Sequence, residues 1–190
     1  IAAAVPIISE LAPKYNLDPR LVAALTFKES SFNPMATGSS GERGPLQLMP
    51  SNVDYYNVQN PHDLRQGLEG GMKLLHDLSI QFHGNEQQML GAWNAGAGRE
   101  NKFLSGEQDL PEGTKDLIAK VIKWYTQTLN LPNAGLIAKP EQTSGLVPAT
   151  GAVQQAGIGF TYEDVVNVAN TISKVILPAV SRFVFGSNIE

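Results

Sequence analysis

Glu29 is the residue whose type and placement best suit proton chemistry. It lies in the stretch Asp18 to Phe32, Asp-Pro-Arg-Leu-Val-Ala-Ala-Leu-Thr-Phe-Lys-Glu-Ser-Ser-Phe. Asp18 is a good N-cap, and Pro19 suits the first helical turn, where its missing N–H would have no partner anyway. Leu21, Val22 and Leu25 follow at helical spacing, and steps of three or four residues carry the same stripe to Glu29, with Phe32 beyond it. A carboxylate on an inward face, near the C-terminal end of a helix where unpaired carbonyls carry partial negative charge, resists ionisation. Such a group is suited to general acid catalysis near neutral pH. The helix alone fits equally well with Lys28 and Glu29 as a solvated last turn.

Other chemistries find less support. His62, His76 and His83 are too widely spaced for a His-x-x-x-His helix pair, and the chain has no cysteine to assist them, so no metal or other cofactor is expected. Gly96-Ala97-Gly98 follows a helical pattern instead of a strand, which argues against a phosphate-cradling loop. Ser30 has no nucleophile-elbow context.

The elements that must position Glu29 are helical. Apolar residues at Val5, Ile8 and Leu11 predict a short helix over Ala3 to Tyr15, interrupted by Pro6 and closed near Pro13 and Asn16. Asn33 to Gly44, rich in Gly, Ser, Asn and Pro, must be a loop. Leu46 to Pro50 is a short apolar run stopped by proline, either a helical turn or a brief extended piece. Asn60-Pro61-His62-Asp63 is a turn feeding a long helix with Leu64, Leu68, Met72, Leu75, Leu78 and Phe82 on one face. Gly67, Gly70 and Gly71 lower its helical propensity and are expected to permit close helix packing. Asn85 caps a fourth helix with Met89, Leu90 and Trp93 inward, which leaves through a glycine-rich exit over 94–98. After a polar loop, a fifth helix spans Glu112 to Leu129, with Leu117, Ile118, Val121, Ile122, Tyr125 and Leu129 inward. No strand alternation of useful length occurs, so the fold class is mainly α.

At 190 residues, 42% hydrophobic and 17% charged, the chain can hold one well-packed domain and an appendage. A formal net charge of -4 argues against a general nucleic-acid surface. No run reaches the roughly 18 apolar residues of a spanning helix, so no membrane crossing is expected. The start at Ile1, with no initiator Met and no signal-type segment, reads as a mature form or a piece of a longer product. The division expected is a catalytic domain over 1–130, a Gly/Pro-rich linker or surface-lying segment over 131–160, and an amphipathic helix over 161–190 kinked or ended by Pro178. That last helix lacks the dense Lys and Arg of an interfacial helix and is expected to dock on protein, as in a larger assembly.

The order of residues from about Val5 to Leu129 resembles the soluble lytic transglycosylases, peptidoglycan-cleaving enzymes of lysozyme-like helical fold. Glu29-Ser30, followed by Ser31-Phe32-Asn33-Pro34, is similar to the first motif, in which the catalytic glutamate ends a helix. Gly44-Pro45-Leu46-Gln47, followed by Leu48-Met49-Pro50, is similar to the second, commonly Gly-Leu-Met-Gln. Ala92-Trp93-Asn94-Ala95-Gly96 is similar to the third, usually Ala-Tyr-Asn-Ala-Gly. Leu110-Pro111-Glu112, with Thr114 and Val121, resembles the helix that closes the groove. Each motif is weak alone, but four in order are specific together. The chain departs from the pattern where Trp93 and Leu117 replace tyrosines, where Gly38 stands at a common serine, and where Pro45 replaces leucine.

The resemblance implies a lytic transglycosylase that cleaves the β-1,4 bond between N-acetylmuramic acid and N-acetylglucosamine. Glu29 would act as acid and then as base, leaving a 1,6-anhydro end, while Gln47 and Asn94 hold the glycan and Ser30 and Trp93 line the cleavage site. For Gln47 and Asn94 the alternative is a pair of amides satisfied by neighbouring loop backbone. The implied partner is the peptidoglycan strand, acted on in the cell wall or periplasm, and the tail and missing signal lean toward a phage virion component. Two other readings stay open. A goose-lysozyme-like hydrolase would need a second carboxylate, for which Asp54, Asp63 and Glu42 are the candidates near the motifs, none compellingly placed. A non-catalytic lysozyme-like module in a wall-penetrating assembly is the other.

Overall fold

The computed structural model describes residues 3–129. The expected linker over 131–160 and helix over 161–190 lie outside the described residues. Within them the architecture is helical, with no strand among the described residues and only two isolated antiparallel bridges, Thr37 to Arg43 and Arg43 to Leu48.

Helix α1 (Ala4–Leu11) buries Val5, Ile8 and Leu11. Pro6 falls in its first turn, where a missing N–H leaves no bond unmade, and therefore does not interrupt it. A 3-10 turn over Ala12–Tyr15 follows and ends at Asn16 in the left-handed conformation, φ 54. Helix α2 (Pro19–Ser30) starts as its sequence dictates: Asp18 accepts the Arg20 backbone N–H at 2.9 Å and Pro19 occupies the first turn. Every residue from Pro19 to Phe27 is buried, so α2 is a central helix and not merely one with an inward face. Arg20 is buried with it, and its Nε donates to Asp18 at 2.9 Å.

Helix α3 (Pro50–Tyr55) begins at the proline that the sequence pattern treats as a stop, because Pro50 takes the first helical position. The Leu46 run before it is a tight turn between paired residues: Arg43 and Leu48 exchange backbone hydrogen bonds at 2.9 Å each. Helix α4 (Leu64–Gln81) is capped by Asp63, which accepts the Gln66 N–H at 2.9 Å, and buries Leu68, Met72, Leu75 and Leu78. Its glycines do permit close approach, but of loops. A Cβ at Gly71 would lie 2.9 Å from Leu46 Cβ, one at Gly67 2.5 Å from the Pro61 carbonyl oxygen, and one at Gly70 3.0 Å from Leu48 Cδ1. The turn bearing Gln47 is thus seated directly on the α4 backbone.

Helix α5 (Glu86–Ala95) is capped by Asn85 and buries Met89, Leu90, Gly91 and Ala92. The glycine-rich exit and polar loop expected after it are corrected by the structure: Gly96, φ 85, is a single hinge, and Ala97–Leu104 forms a further helix, α6. The inward residue of α6 is Glu100, 2% exposed, which a hydrophobic pattern cannot register. Helix α7 (Glu112–Leu129) has the predicted bounds, with Leu117, Val121 and Tyr125 buried. It packs against both α2 and α5. The Tyr125 hydroxyl donates to Asp18 at 3.1 Å, joining the C-terminal half of α7 to the start of α2.

Candidate active site

Glu29 is the penultimate residue of α2, and the chain turns sharply after it. Ser31 caps the helix through its N–H to the Phe27 carbonyl at 2.9 Å, and both Ser31 (φ 53) and Phe32 (φ 64) are left-handed. That conformation is costly for a residue as bulky as phenylalanine. Burial of the Phe32 ring beside Phe27, with centroids 6.1 Å apart, offsets the cost. The turn sends the 33–48 loop outward and back across the end of α2. There the Ser30 hydroxyl donates to the Pro45 carbonyl at 2.6 Å, and His62 Nδ1 lies 2.9 Å from the Pro34 carbonyl.

Partial burial at the end of α2 leaves Glu29 reachable from outside. The C-terminal turn of α5 crosses it, and Trp93 Nε1 donates to Glu29 Oε1 at 2.9 Å. Burial pushes the Glu29 carboxyl above the ordinary carboxylate range. The Trp93 hydrogen bond and the neighbouring Lys28 charge pull the other way, and the Glu42 charge adds to the rise. Burial dominates, so Glu29 is a carboxyl group that holds its proton to higher pH than an exposed glutamate. The solvated last turn does not form: Lys28 leans toward Asp116 of α7, 3.9 Å away, and Glu29 toward Trp93.

The other expected site residues are placed as follows. Ser30 is partly buried, with its hydroxyl committed to the loop carbonyl. Gln47 is held at φ 46, and its Nε2 donates to the Gly44 carbonyl at 2.8 Å, so part of its amide is satisfied by neighbouring loop backbone. Asn94 is exposed, and its Oδ1 accepts from the Thr114 hydroxyl at 2.6 Å, which ties α5 to the start of α7. Leu117 is 2% exposed in the core and contributes no polar group. Asp63 is spent as the α4 cap, and Asp54 sits on α3. Among the described residues no group of three or more side chains could hold a metal ion.

The arrangement is a carboxyl group at a helix end, its proton affinity raised by burial and its Oε1 hydrogen-bonded by one indole N–H. The transglycosylase SLT domain matches residues 6–114, a span that contains all of these side chains. The chain belongs to the SLT transglycosylase family. It is 31% identical over 154 residues to a transglycosylase of Enterobacteria phage PRD1, which covers 81% of this chain and 53% of the phage protein. It is also 33% identical over 134 residues to a membrane-bound lytic murein transglycosylase F of Histophilus somni, covering 70% of this chain and 28% of that protein. The fold is similar to that of an inactive mutant of lytic transglycosylase Slt from Pseudomonas aeruginosa, with a TM-score of 0.58 at 23% identity over 68% of this chain and 25% of that one. The mainly α, lysozyme-like architecture expected from sequence is therefore borne out. The chain spans about half the length of the phage relative and less than a third of the bacterial one. No helix among the described residues is long and apolar enough to cross a membrane.

Proposed function

We propose that this chain is a peptidoglycan lytic transglycosylase with Glu29 as its acid and base. The observation that carries the reading is the Trp93 hydrogen bond to a Glu29 carboxyl whose proton affinity burial raises. Glycosidases with two working carboxylates separate them by about 5 Å or by about 6.5–9.5 Å. With one acid, the substrate supplies the rest. The Glu29 proton goes to the glycosidic oxygen as its bond to the muramic acid C1 breaks, and the 2-acetamido oxygen closes onto C1 to hold the positive charge. The C6 hydroxyl then attacks C1, displaces the acetamido oxygen, and returns its proton to Glu29. The products are a 1,6-anhydro-muramyl end and a free glucosaminyl 4-hydroxyl, with the acid restored.

In this reading Gln47 and Asn94 hold the glycan through the amide atoms not used in their bonds to Gly44 and Thr114, the Gln47 Oε1 and the Asn94 Nδ2. Trp93 both orients Glu29 and offers a ring edge to the sugar, and Ser30 fixes the loop that carries Gln47. The site of action is the cell wall, and the phage relative supports a phage setting. A non-catalytic module would gain nothing from an oriented, proton-holding carboxyl.

The test is the clearing of cell-wall suspensions by the wild type and by Glu29→Gln, with mass spectrometry of the products. Loss of clearing in the variant, and wild-type ends one water lighter than reducing ends, are expected. Reducing ends alone would make the protein a hydrolase, and an active Glu29→Gln would remove Glu29 from the chemistry.

A further inference from the structure

The Gln47 amide is oriented by its own turn. Its backbone N–H and its Nε2 both donate to the Gly44 carbonyl, at 3.2 and 2.8 Å. A carbonyl can only accept, so the nitrogen of the amide is fixed there and Oε1 is left for another donor. Gly38 lies on the Oε1 side: a Cβ built on it would fall 3.1 Å from Gln47 Oε1 and 2.8 Å from Glu42 Cδ. One point above Gly38 therefore touches both side chains. Glu42 is brought there by a turn in which the Gly38 N–H donates to the Glu42 carbonyl at 2.8 Å, and its Oε2 accepts the Ser40 backbone N–H at 2.9 Å. Among the described residues, that N–H is the one donor to the Glu42 carboxylate, none reaches Gln47 Oε1, and no cation pairs with Glu42. Two acceptors thus converge with no donor between them, and both residues are partly exposed.

We propose that Glu42 is a substrate-binding residue, which with Gln47 Oε1 forms a two-oxygen seat over Gly38 for a neutral donor of the glycan, an acetamido N–H or a sugar hydroxyl. The proposal rests on the glycan being the substrate of this chain. The amide oxygen supplies direction, because its turn fixes it. The carboxylate supplies strength, because a hydrogen bond to an ionised acceptor is roughly twice as strong as one between neutral groups. A single carboxylate that remains partly in water attracts an ammonium only weakly, so charge alone is a poor handle here, whereas two placed oxygens suit a directional donor. The seat exists because residue 38 is glycine. Any Cβ at that position overlaps the Glu42 carboxyl and crowds the Gln47 oxygen.

Binding is measured by calorimetry with chitotetraose, a peptide-free oligomer of N-acetylglucosamine, titrated into Glu29→Gln so that no cleavage intervenes. Adding Glu42→Ala is expected to weaken binding about tenfold, the loss of one hydrogen bond to a charged group. Adding Glu42→Gln, which keeps an acceptor oxygen in place, should recover most of that affinity. Gly38→Ala keeps the charge but drives the flexible carboxyl from its seat, and should weaken binding as Glu42→Ala does. Urea midpoints of all the variants should stay with the parent. An unchanged Kd in both Glu42→Ala and Gly38→Ala would overturn the seat, and a fall in midpoint that accounts for the lost affinity would make Glu42 a prop of its loop instead of a ligand to the sugar. Weakened binding of wall fragments that carry stem peptides, with chitotetraose unaffected, would overturn the sugar donor in favour of a peptide ammonium. Failure of chitotetraose to bind the Glu29→Gln parent would instead overturn the glycan-binding reading on which the proposal stands.

Discussion

The Trp93 indole N–H donates to Glu29 Oε1 across 2.9 Å, joining the last turn of α5 to the last turn of α2. Indole has one donor and no acceptor, so the contact can only favour the carboxylate or present a lone pair of the acid. Trp93→Phe keeps a ring and removes that donor. A lost hydrogen bond to a charged group is worth about 1.5–3 kcal/mol, so the rate of wall clearing should fall by about ten- to a hundredfold. The bond lowers the proton affinity of Glu29, so its loss should move the basic limb to higher pH. Trp93→Tyr, which restores a hydroxyl donor, should recover most of the rate. Equal pH profiles for Trp93→Phe and wild type would show that the indole N–H does not act on the acid.

The turn bearing Gln47 rests on Gly71. Leu46 is fully buried, and a Cβ at residue 71 would lie 2.9 Å from its Cβ and 3.1 Å from its Cγ. These are not the yielding ends of a flexible chain, so the turn itself must move. Gly71→Ala should cost about 1–3 kcal/mol from overpacking, against a gain of at most about 1 kcal/mol in helix propensity. Because Gln47 follows Leu46, activity should fall further than stability alone explains. Gly113, in the first turn of α7 with no atom within 4 Å of its added Cβ, is the control. Urea unfolding and clearing rates of Gly71→Ala and Gly113→Ala check this, and equal behaviour of the two would refute it.

What the sequence reveals follows the range of the interactions involved. Asp18 with Pro19, and Asn85, announce helix starts because a cap is settled within a few residues. The Glu112–Leu129 helix is legible because its buried Leu117, Val121 and Tyr125 keep the helical period. Helix α6 is not, because its inward residue is Glu100 and a polar residue on a buried face contradicts the pattern used to find helices. Glu29 is legible as an inward carboxylate, but its orientation is not, since Trp93 lies 64 residues away in sequence. Glu42 is the sharpest case. Nothing periodic marks its seat, which depends on a folded-back side chain, the Ser40 N–H and the absence of a side chain at Gly38. Likewise, the α4 glycines signal close packing without saying that loops, and not another helix, approach them.

Glu100 yields a prediction whose sign can be worked out. It is 2% exposed, its Oε2 has no hydrogen-bond partner among the described residues, and it presses on α5 at Gly91, where a Cβ would fall 2.7 Å from Glu100 Cδ. Burial raises its carboxyl above the ordinary range of about 4.3. A carboxyl that binds its proton more tightly folded than unfolded contributes stability below the unfolded value, and that contribution is lost as pH rises through the folded one. Glu100→Gln does not titrate. Its amide brings a constant offset, so the pH slope is the diagnostic quantity. Urea midpoints should show the wild type losing ground to Glu100→Gln as pH climbs from the carboxylate range toward neutrality. Glu29 contributes in the same direction in both proteins and cancels in the comparison. A wild type that gains on the variant with rising pH would mean that the ionised Glu100 has found a partner, and the inward face of α6 would then be an ion-pair site instead of a neutral acid packed on glycine.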